Sequence, residues 1–265
     1  MKKEISKEII KNLKGKKIVI VLLPFILIAV LGFYFRLIRH TTIATQKYND
    51  AVAAYNEMSV NYDKALSHVY VDNIDGIASS AGKLEKENED IWNIIKTIYH
   101  GNTADKINKD TATIYKLMNS MEKDLKIVSQ ISNPSSNWVV ERLKKVRQII
   151  KTEVVSADND PNQMLGKDGG YSSCTYFTIT DIDSDSAEGD TVVAKGTDAG
   201  GAIEVFKSVE DAEARCKYLA EFDNTLLYSG SYAIVGTMVI RTSYRLDGKS
   251  QLNLTNEITK AFTMP

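Results

Sequence analysis

Catalysis usually calls on histidine, cysteine or converging carboxylates, and this chain of 265 residues is sparing with the first two. Its histidines are His40, His68 and His100. None lies in the C-terminal half, which therefore lacks an imidazole for a Ser-His or Cys-His pair and for metal ligation. Cys174 and Cys216 are the only thiols. Cys216 falls on the apolar face of an expected helix and Cys174 at the start of an expected strand, so the pair reads as two buried thiols. A disulfide is the rival reading outside the cytoplasm, but spacing alone does not bring two Cα atoms within reach.

Carboxylates are more plentiful. Asp181, Asp183 and Asp185 open an acidic run whose alternating oxygens resemble the start of a calcium loop. The match stops there: the sixth position, a glycine in such loops, is Ser186, and the twelfth, a bidentate Glu, is Val192. A solvated acidic loop is the expectation, with no cofactor other than weakly held calcium suggested. Asp158 and Asp160 could do acid–base work, but two residues apart in a turn they read as solvated. Gly196 to Gly201 is glycine-rich yet leads into a strand, whereas a phosphate cradle needs a helix N-terminus behind it. It reads as a tight turn. Asp160-Pro161-Asn162 and Gly169-Gly170 bracket a long loop. Loops carry contacts, so Asp160, Asn162, Gly169, Gly170, Tyr171 and Asp198 are the candidate contact residues.

These loops must be held by something, and the chain divides clearly by composition. Ile18 to Phe35 is an unbroken apolar run of 18 residues. At about 1.5 Å per residue a helix over it spans roughly 27 Å, close to a bilayer's hydrocarbon thickness. The run exceeds a signal-peptide core and no small-x-small cleavage site follows it. Phe33, Tyr34 and Phe35 stand where an interfacial aromatic belt would. With no cysteine near the run, a lipid-modified N-terminus is not expected. The expectation is a retained transmembrane helix over 18–38, contacting the lipid bilayer from Ile18 to Ile38. Lys2, Lys3, Lys7, Lys11, Lys14, Lys16 and Lys17 precede it, against Arg36, Arg39 and Lys47 behind it. That bias places the N-terminus inside and the rest outside the cytoplasm. Residues 1–17, at about +5, form a basic tail suited to anionic inner-leaflet lipids. No later segment is basic enough to track a phosphate backbone, so nucleic acid is excluded as a partner.

From residue 40 to 132 the chain reads as a helical bundle or stalk. Tyr48, Ala51, Tyr55, Met58, Tyr62, Ala65 and Val69 alternate steps of three and four, a heptad stripe. Leu84, Ile91, Ile94, Ile95 and Ile98 form a second apolar segment, ended by Gly101-Asn102. Ile107, Thr111, Ile114, Met118, Met121, Leu125 and Val128 form a third. Three antiparallel helices, or a homo-oligomeric coiled coil through the first, would bury these stripes. At Ser132-Asn133-Pro134 the composition changes. Ser132 or Asn133 is the expected cap of a short helix carrying Trp138, Val139, Leu143, Val146 and Ile150. Strands are expected over Thr152–Ser156, Thr175–Thr180 and Ala202–Phe206, then a helix over Val209–Phe222. Tyr232–Thr242 reads as one central buried strand, and Ser250–Phe262 as a closing helix. The fold class is α+β: one N-terminal transmembrane helix, a helical spacer, and a small α+β sandwich over 133–265 with helices packed on one sheet.

Five stretches carry a resemblance: NPSSNWVVERLKKV (133–146), DNDPNQMLGKDGGY (158–171), KGTDAGGAIEVF (195–206), EDAEARCKYLAEFD (210–223) and GTMVIRTS (236–243). Together they resemble a module that recurs in membrane-anchored proteins and lipoproteins of Gram-positive bacteria of the Firmicutes and Actinobacteria type. The resemblance implies an architecture of anchor, variable helical spacer and outer domain, and carries no catalytic residues with it. A binding module engaging an unknown envelope protein or ligand is the expected function. A cell-wall hydrolase using carboxylates, or a sensor subunit signalling through a partner, are the alternatives.

Overall fold

The computed structural model describes residues 22–72, 74, 77, 103–223, 225 and 228–264. The basic tail, residues 18–21 of the apolar run and the expected second helical segment (84–98) lie outside the described residues. Residues 22–33 are α-helical, followed by a π-helical stretch, Tyr34–Arg39, and by helix α1, His40–Leu66. Helix α2 is Thr103–Ile131. Among the described residues, no helix is long and apolar enough to cross a membrane. Contacts divide the chain into two compact units, Met1–Asn56 with Leu84–Lys116 and Glu57–Lys83 with Leu117–Pro265.

In the first unit Ala51, Ile107 and Ile114 of the expected stripes are buried, and so is Ala44. Thr111 shares the stripe because its hydroxyl donates back to the Ile107 carbonyl at 2.7 Å, which satisfies it within its own helix.

The second unit is built on a five-stranded antiparallel sheet. Its strands are β1 (Ile149–Val154), β2 (Ser173–Ile179), β3 (Gly200–Val205), β4 (Tyr232–Val235) and β5 (Met238–Thr242), in the spatial order β1-β2-β3-β5-β4. The helices are α3 (Ser136–Leu143), the single turn α4 (Val192–Lys195), α5 (Val209–Ala220) and α6 (Gly248–Thr263). Side chains of a strand alternate between faces, and the sheet is apolar on both. Phe177, Ile179, Ile203, Val205, Met238 and Ile240 meet Val139 and Leu143 of α3, Leu254, Ile258 and Phe262 of α6, and Val128 and Ile131 of α2. On the opposite face Cys174, Tyr176, Ala202 and Val239 pack with Ala212 and Leu219 of α5, and with Val155, Tyr171 and Val193. The α+β class holds. Helices pack on one sheet as expected, and they cover both of its faces.

Three local expectations are corrected. The run Tyr232–Thr242 is a hairpin, not one central strand: Val235 pairs with Met238 around Gly236-Thr237, and β4 is an edge. Gly236, at φ +63°, stands first in the two-residue turn, where a type II′ hairpin requires glycine. Its amide and carbonyl pair with Tyr70, at 2.8 and 3.0 Å, and the Thr237 amide donates to the Ile131 carbonyl at 3.0 Å. A Cβ at Gly236 would stand 2.1 Å from that same carbonyl oxygen. Next, the cap of α3 is Ser135, accepting from the Trp138 amide at 3.3 Å. Asn133 instead takes a left-handed φ of +46°, donates its amide to Thr237 and accepts from Ser172. Finally, Ile150 belongs to β1 and is exposed, since α3 ends at Leu143.

Termini of the helices are closed by side chains. Asp247 caps α6, accepting from the Ser250 amide at 2.9 Å. At the other end Arg142 donates to the carbonyls of Ala261 and Met264, with its guanidinium 5.1 Å over the Trp138 ring. A cation there also suits the negative end of the helix dipole.

Candidate functional site

Strand alternation and helix periodicity place three charges in the layer between the sheet and α5. Ala202 and Glu204 share a face of β3, and Val239 and Arg241 share the matching face of β5. On α5, Ala212, Arg215 and Leu219 lie at steps of three and four, so Arg215 is carried inward with its apolar neighbours. Glu204 is fully buried. It accepts from Arg215 Nε and Nη2 at 2.7 and 2.8 Å, a two-pronged pairing, and from Arg241 Nη1 at 2.9 Å. Burial works against the ionised carboxylate. The charge of Arg241 and the hydrogen bonds and charge of Arg215 outweigh it and hold Glu204 below its ordinary pKa. Burial likewise opposes the charge on Arg215, and Glu204 more than restores it. Two cations against one anion leave the cluster with one excess positive charge.

Both cysteines are free thiols and neither is poised as a nucleophile. Cys174 stands opposite Glu204 across β2 and β3. Burial, then the Glu204 charge, pushes it well above the ordinary thiol value. Cys216 is pushed up to about 12 by the same causes. A reactive cysteine needs the reverse.

The cluster anchors the chain that leads into β4. Arg241 Nη2 donates to Ser229 Oγ at 2.8 Å. The Thr242 amide donates to the Ser231 carbonyl at 2.9 Å, and the Ser231 and Thr242 hydroxyls are 2.7 Å apart. Gly230, at φ +112°, packs so closely that a Cβ would stand 1.8 Å from the Thr242 carbonyl oxygen. Residues 229–231 are thereby held against β5 from both sides. The segment borders an open depression of about 660 Å³ lined by Asp223, Thr225, Tyr228, Gly230, Ser231 and Tyr232. Tyr232 is the cross-strand neighbour of Arg241 and donates its hydroxyl to Asp223 Oδ2 at 2.9 Å. Burial and Asp223 push that phenol up to about 12, so it stays protonated as a donor.

The sequence-derived candidates fall into three places. Asp160, Asn162 and Tyr171 come together: Asp160 accepts from the amides of Asn162, Met164 and Leu165 at 3.0, 2.7 and 2.8 Å and from the Tyr171 hydroxyl. Burial opposes its charge, but the hydrogen bonds of Tyr171 and the three amides prevail and lower its pKa. Asn162 adds a hydrogen bond to the Tyr176 hydroxyl at 3.3 Å. Tyr171 and Gly170 are buried, and a Cβ on Gly170 would stand 2.0 Å from the Met164 carbonyl oxygen. Gly169 is exposed at φ +69°, where the loop turns. Asp160 and Tyr171 therefore organise this loop, and the Tyr171 ring is core, not contact surface. Asp198 lies elsewhere, 3.8 Å from Arg245.

The acidic run does not converge. Asp181 accepts from Thr180, Asp183 caps a short 3₁₀ turn over Ser184–Ser186, and Asp185 faces Lys195 at 3.4 Å. Among the described residues no group of histidine, cysteine and carboxylate side chains could hold a metal ion.

Glu204, Arg215 and Arg241 were missed by sequence reasoning, although a signal existed. Each is a charge at a position whose period points inward, Glu204 within the otherwise uncharged strand Gly200–Val205. The Tyr228-Ser-Gly-Ser-Tyr232 stretch bordering the depression carried a weaker signal, small residues between aromatics. Comparisons with protein-family models, curated proteins and solved structures find no match to the chain.

Proposed function

We propose that the chain is a single-pass protein of a bacterial envelope, N-terminus inside, with its C-terminal α+β unit outside as a binding module. One observation carries the anchoring. Between Leu22 and Phe35, eleven large hydrophobic side chains are each at least 46% exposed. In water each would forgo roughly 1.5–3 kcal/mol of burial, whereas lipid would cover them all. The helix continues from them into a stretch where Arg39 lies 5.4 Å over the Phe35 ring, a pairing suited to a membrane interface. The sequence resemblance to anchored Gram-positive proteins supports the same arrangement.

Binding, not turnover, is what the C-terminal unit favours. Its buried carboxylate Glu204 is neutralised by two arginines, and Asp160 is spent on loop amides. The depression beside Arg241 presents hydroxyls, two tyrosines and one carboxylate on a braced segment. The test is protease treatment of intact cells expressing a C-terminally tagged chain. Loss of the tag from intact cells, with the chain staying in the membrane pellet through alkaline washing, is the expected result. Protection of the tag until lysis would refute the topology.

A further inference from the structure

We infer that two copies of the chain pair edge to edge through β1, antiparallel about a two-fold axis at Thr152, so that their sheets become continuous. Among the described residues β1 has β2 on one side and no strand on the other. The Val155 amide donates to the Cys174 carbonyl at 2.9 Å. Backbone groups alternate in direction along an antiparallel strand. Glu153, like Val155, thus turns its amide and carbonyl towards β2, where it stands opposite Tyr176. Those of Thr152 and Val154 point to the open edge. Two large apolar side chains, Ile150 and Val154, are 57% and 37% exposed beside it. An edge of this kind accepts a further strand through its main chain.

Charge complementarity makes that strand a second β1. Pairing about Thr152 sets Lys151 opposite the partner's Glu153 and, by symmetry, Glu153 opposite the partner's Lys151. Val154 meets the partner's Ile150, and Thr152 meets the partner's Thr152, a favourable cross-strand pair. The nearest registers that keep the hydrogen-bonding pattern are centred on Lys151 or on Glu153. Each of them sets like charges directly opposite, which is unfavourable. Lys151 is exposed and makes no ion pair among the described residues. Glu153 accepts the Val193 amide at 2.9 Å, which steadies its carboxylate on the sheet face that Lys151 shares. A lone charge on an edge strand keeps other strands away. A Lys and a Glu two positions apart select a register instead. The two-fold pairing uses each β1 edge once, so the assembly closes at a dimer.

The pairing does not rest on the membrane topology proposed above. In membranes holding the full-length chain, T152C should cross-link to itself under copper phenanthroline, its two Cα atoms standing about 5.5 Å apart. I150C should not, since a four-residue offset separates its two copies by roughly 14 Å. I150C mixed with V154C should cross-link again. The parent chain sets the background from Cys174 and Cys216. Sedimentation of the full-length chain in detergent micelles follows the dimer itself. K151E should weaken it about tenfold by turning two attractions into two repulsions, with an unchanged unfolding midpoint because Lys151 is exposed. E153K should weaken it too, and an equimolar mixture of K151E and E153K should restore it as a heterodimer. Absence of a dimer, a dimer indifferent to K151E, or I150C cross-linking as well as T152C would each overturn the inference. Should E153K misfold, the T152C and K151E results decide alone.

Discussion

Replacing Glu204 with Gln removes one charge from a site that water does not reach. Two guanidinium groups lose their common partner, and their mutual repulsion is left uncompensated. Each attraction, taken at about 4 Å between charge centres and an effective dielectric constant near 20, amounts to roughly 4 kcal/mol. Desolvation of the carboxylate, several kcal/mol, is regained when the charge goes. What remains is the cost of stranding buried cations, about 3–5 kcal/mol when one member of a buried pair is lost. E204Q is therefore expected to lower unfolding free energy by about that amount. R215M should cost less, because it leaves Glu204 balanced one-to-one by Arg241. Urea unfolding in detergent micelles, read by Trp138 in a W92F background, measures both.

The pH dependence supplies a second arm. Because Glu204 titrates lower in the folded chain than its ordinary 4.5, folding is stabilised by its ionised form. That contribution is fully present above 4.5 and is lost as the pH falls through the depressed folded value. The parent should lose stability over this acid window, and E204Q should show a flatter profile there. A loss below about 1 kcal/mol for E204Q, or an acid profile parallel to the parent's, would refute the account of the cluster.

Other changes follow from single contacts. G236A should cost about 3 kcal/mol, from a positive φ and a Cβ forced onto the Ile131 carbonyl; urea midpoints at constant slope would show it. D160N weakens the four hydrogen bonds that close the 156–171 loop, so limited proteolysis should cut there several-fold faster. Cys174, wholly buried, should react with a disulfide reagent at pH 8 only as fast as the unit opens, and the half-buried Cys216 should react faster than Cys174 but more slowly than a free thiol, since burial raises both. A fragment of residues 133–265 should be markedly less stable than one of residues 57–265, by urea unfolding of the two.

Much of the secondary structure could be read from period and composition, because burial follows side-chain alternation directly. Ala51, Tyr62 and Val69 of the first stripe are buried as their spacing requires. So are Ile107, Ile114, Met121 and Val128 of α2, and Leu254, Ile258 and Ala261 of α6. What could not be read was pairing. An apolar run from Tyr232 to Thr242 looks the same whether it is one strand or two, and Gly236 marks a turn only once Ile131 and Tyr70 are seen to receive it. The same limit hid the charge cluster. Glu204, Arg215 and Arg241 are separated in sequence by 11 and 37 residues from Glu204, and only the sheet order brings their strands and helix together. The loop candidates show the opposite failure. Asp160 and Tyr171 looked like contact residues because they lie in a polar, glycine-rich loop, yet that loop needs an internal acceptor for its own amides, and Asp160 is that acceptor.

The change of composition at residue 133 is therefore not a boundary of packing. Val69, Ile74, Ile77, Val128 and Ile131 belong to the same buried cluster as Phe177, Ile203 and Phe262. Tyr62, wholly buried, donates to Asp124 Oδ2 at 2.9 Å and to the Ile77 carbonyl at 3.0 Å, which joins α1 to α2 inside this unit. The hairpin turn at Gly236 finds its backbone partners on Tyr70, and Thr237 on Ile131. A chain cut at 133 would leave those polar groups without their partners and uncover the part of the sheet face that α3 and α6 do not cover. Each of the five lost apolar side chains forgoes roughly 1.5–3 kcal/mol of burial, an upper bound that still exceeds the whole stability of many small domains when summed. The parts of α1 and α2 that lie within this unit are thus structural members of its core.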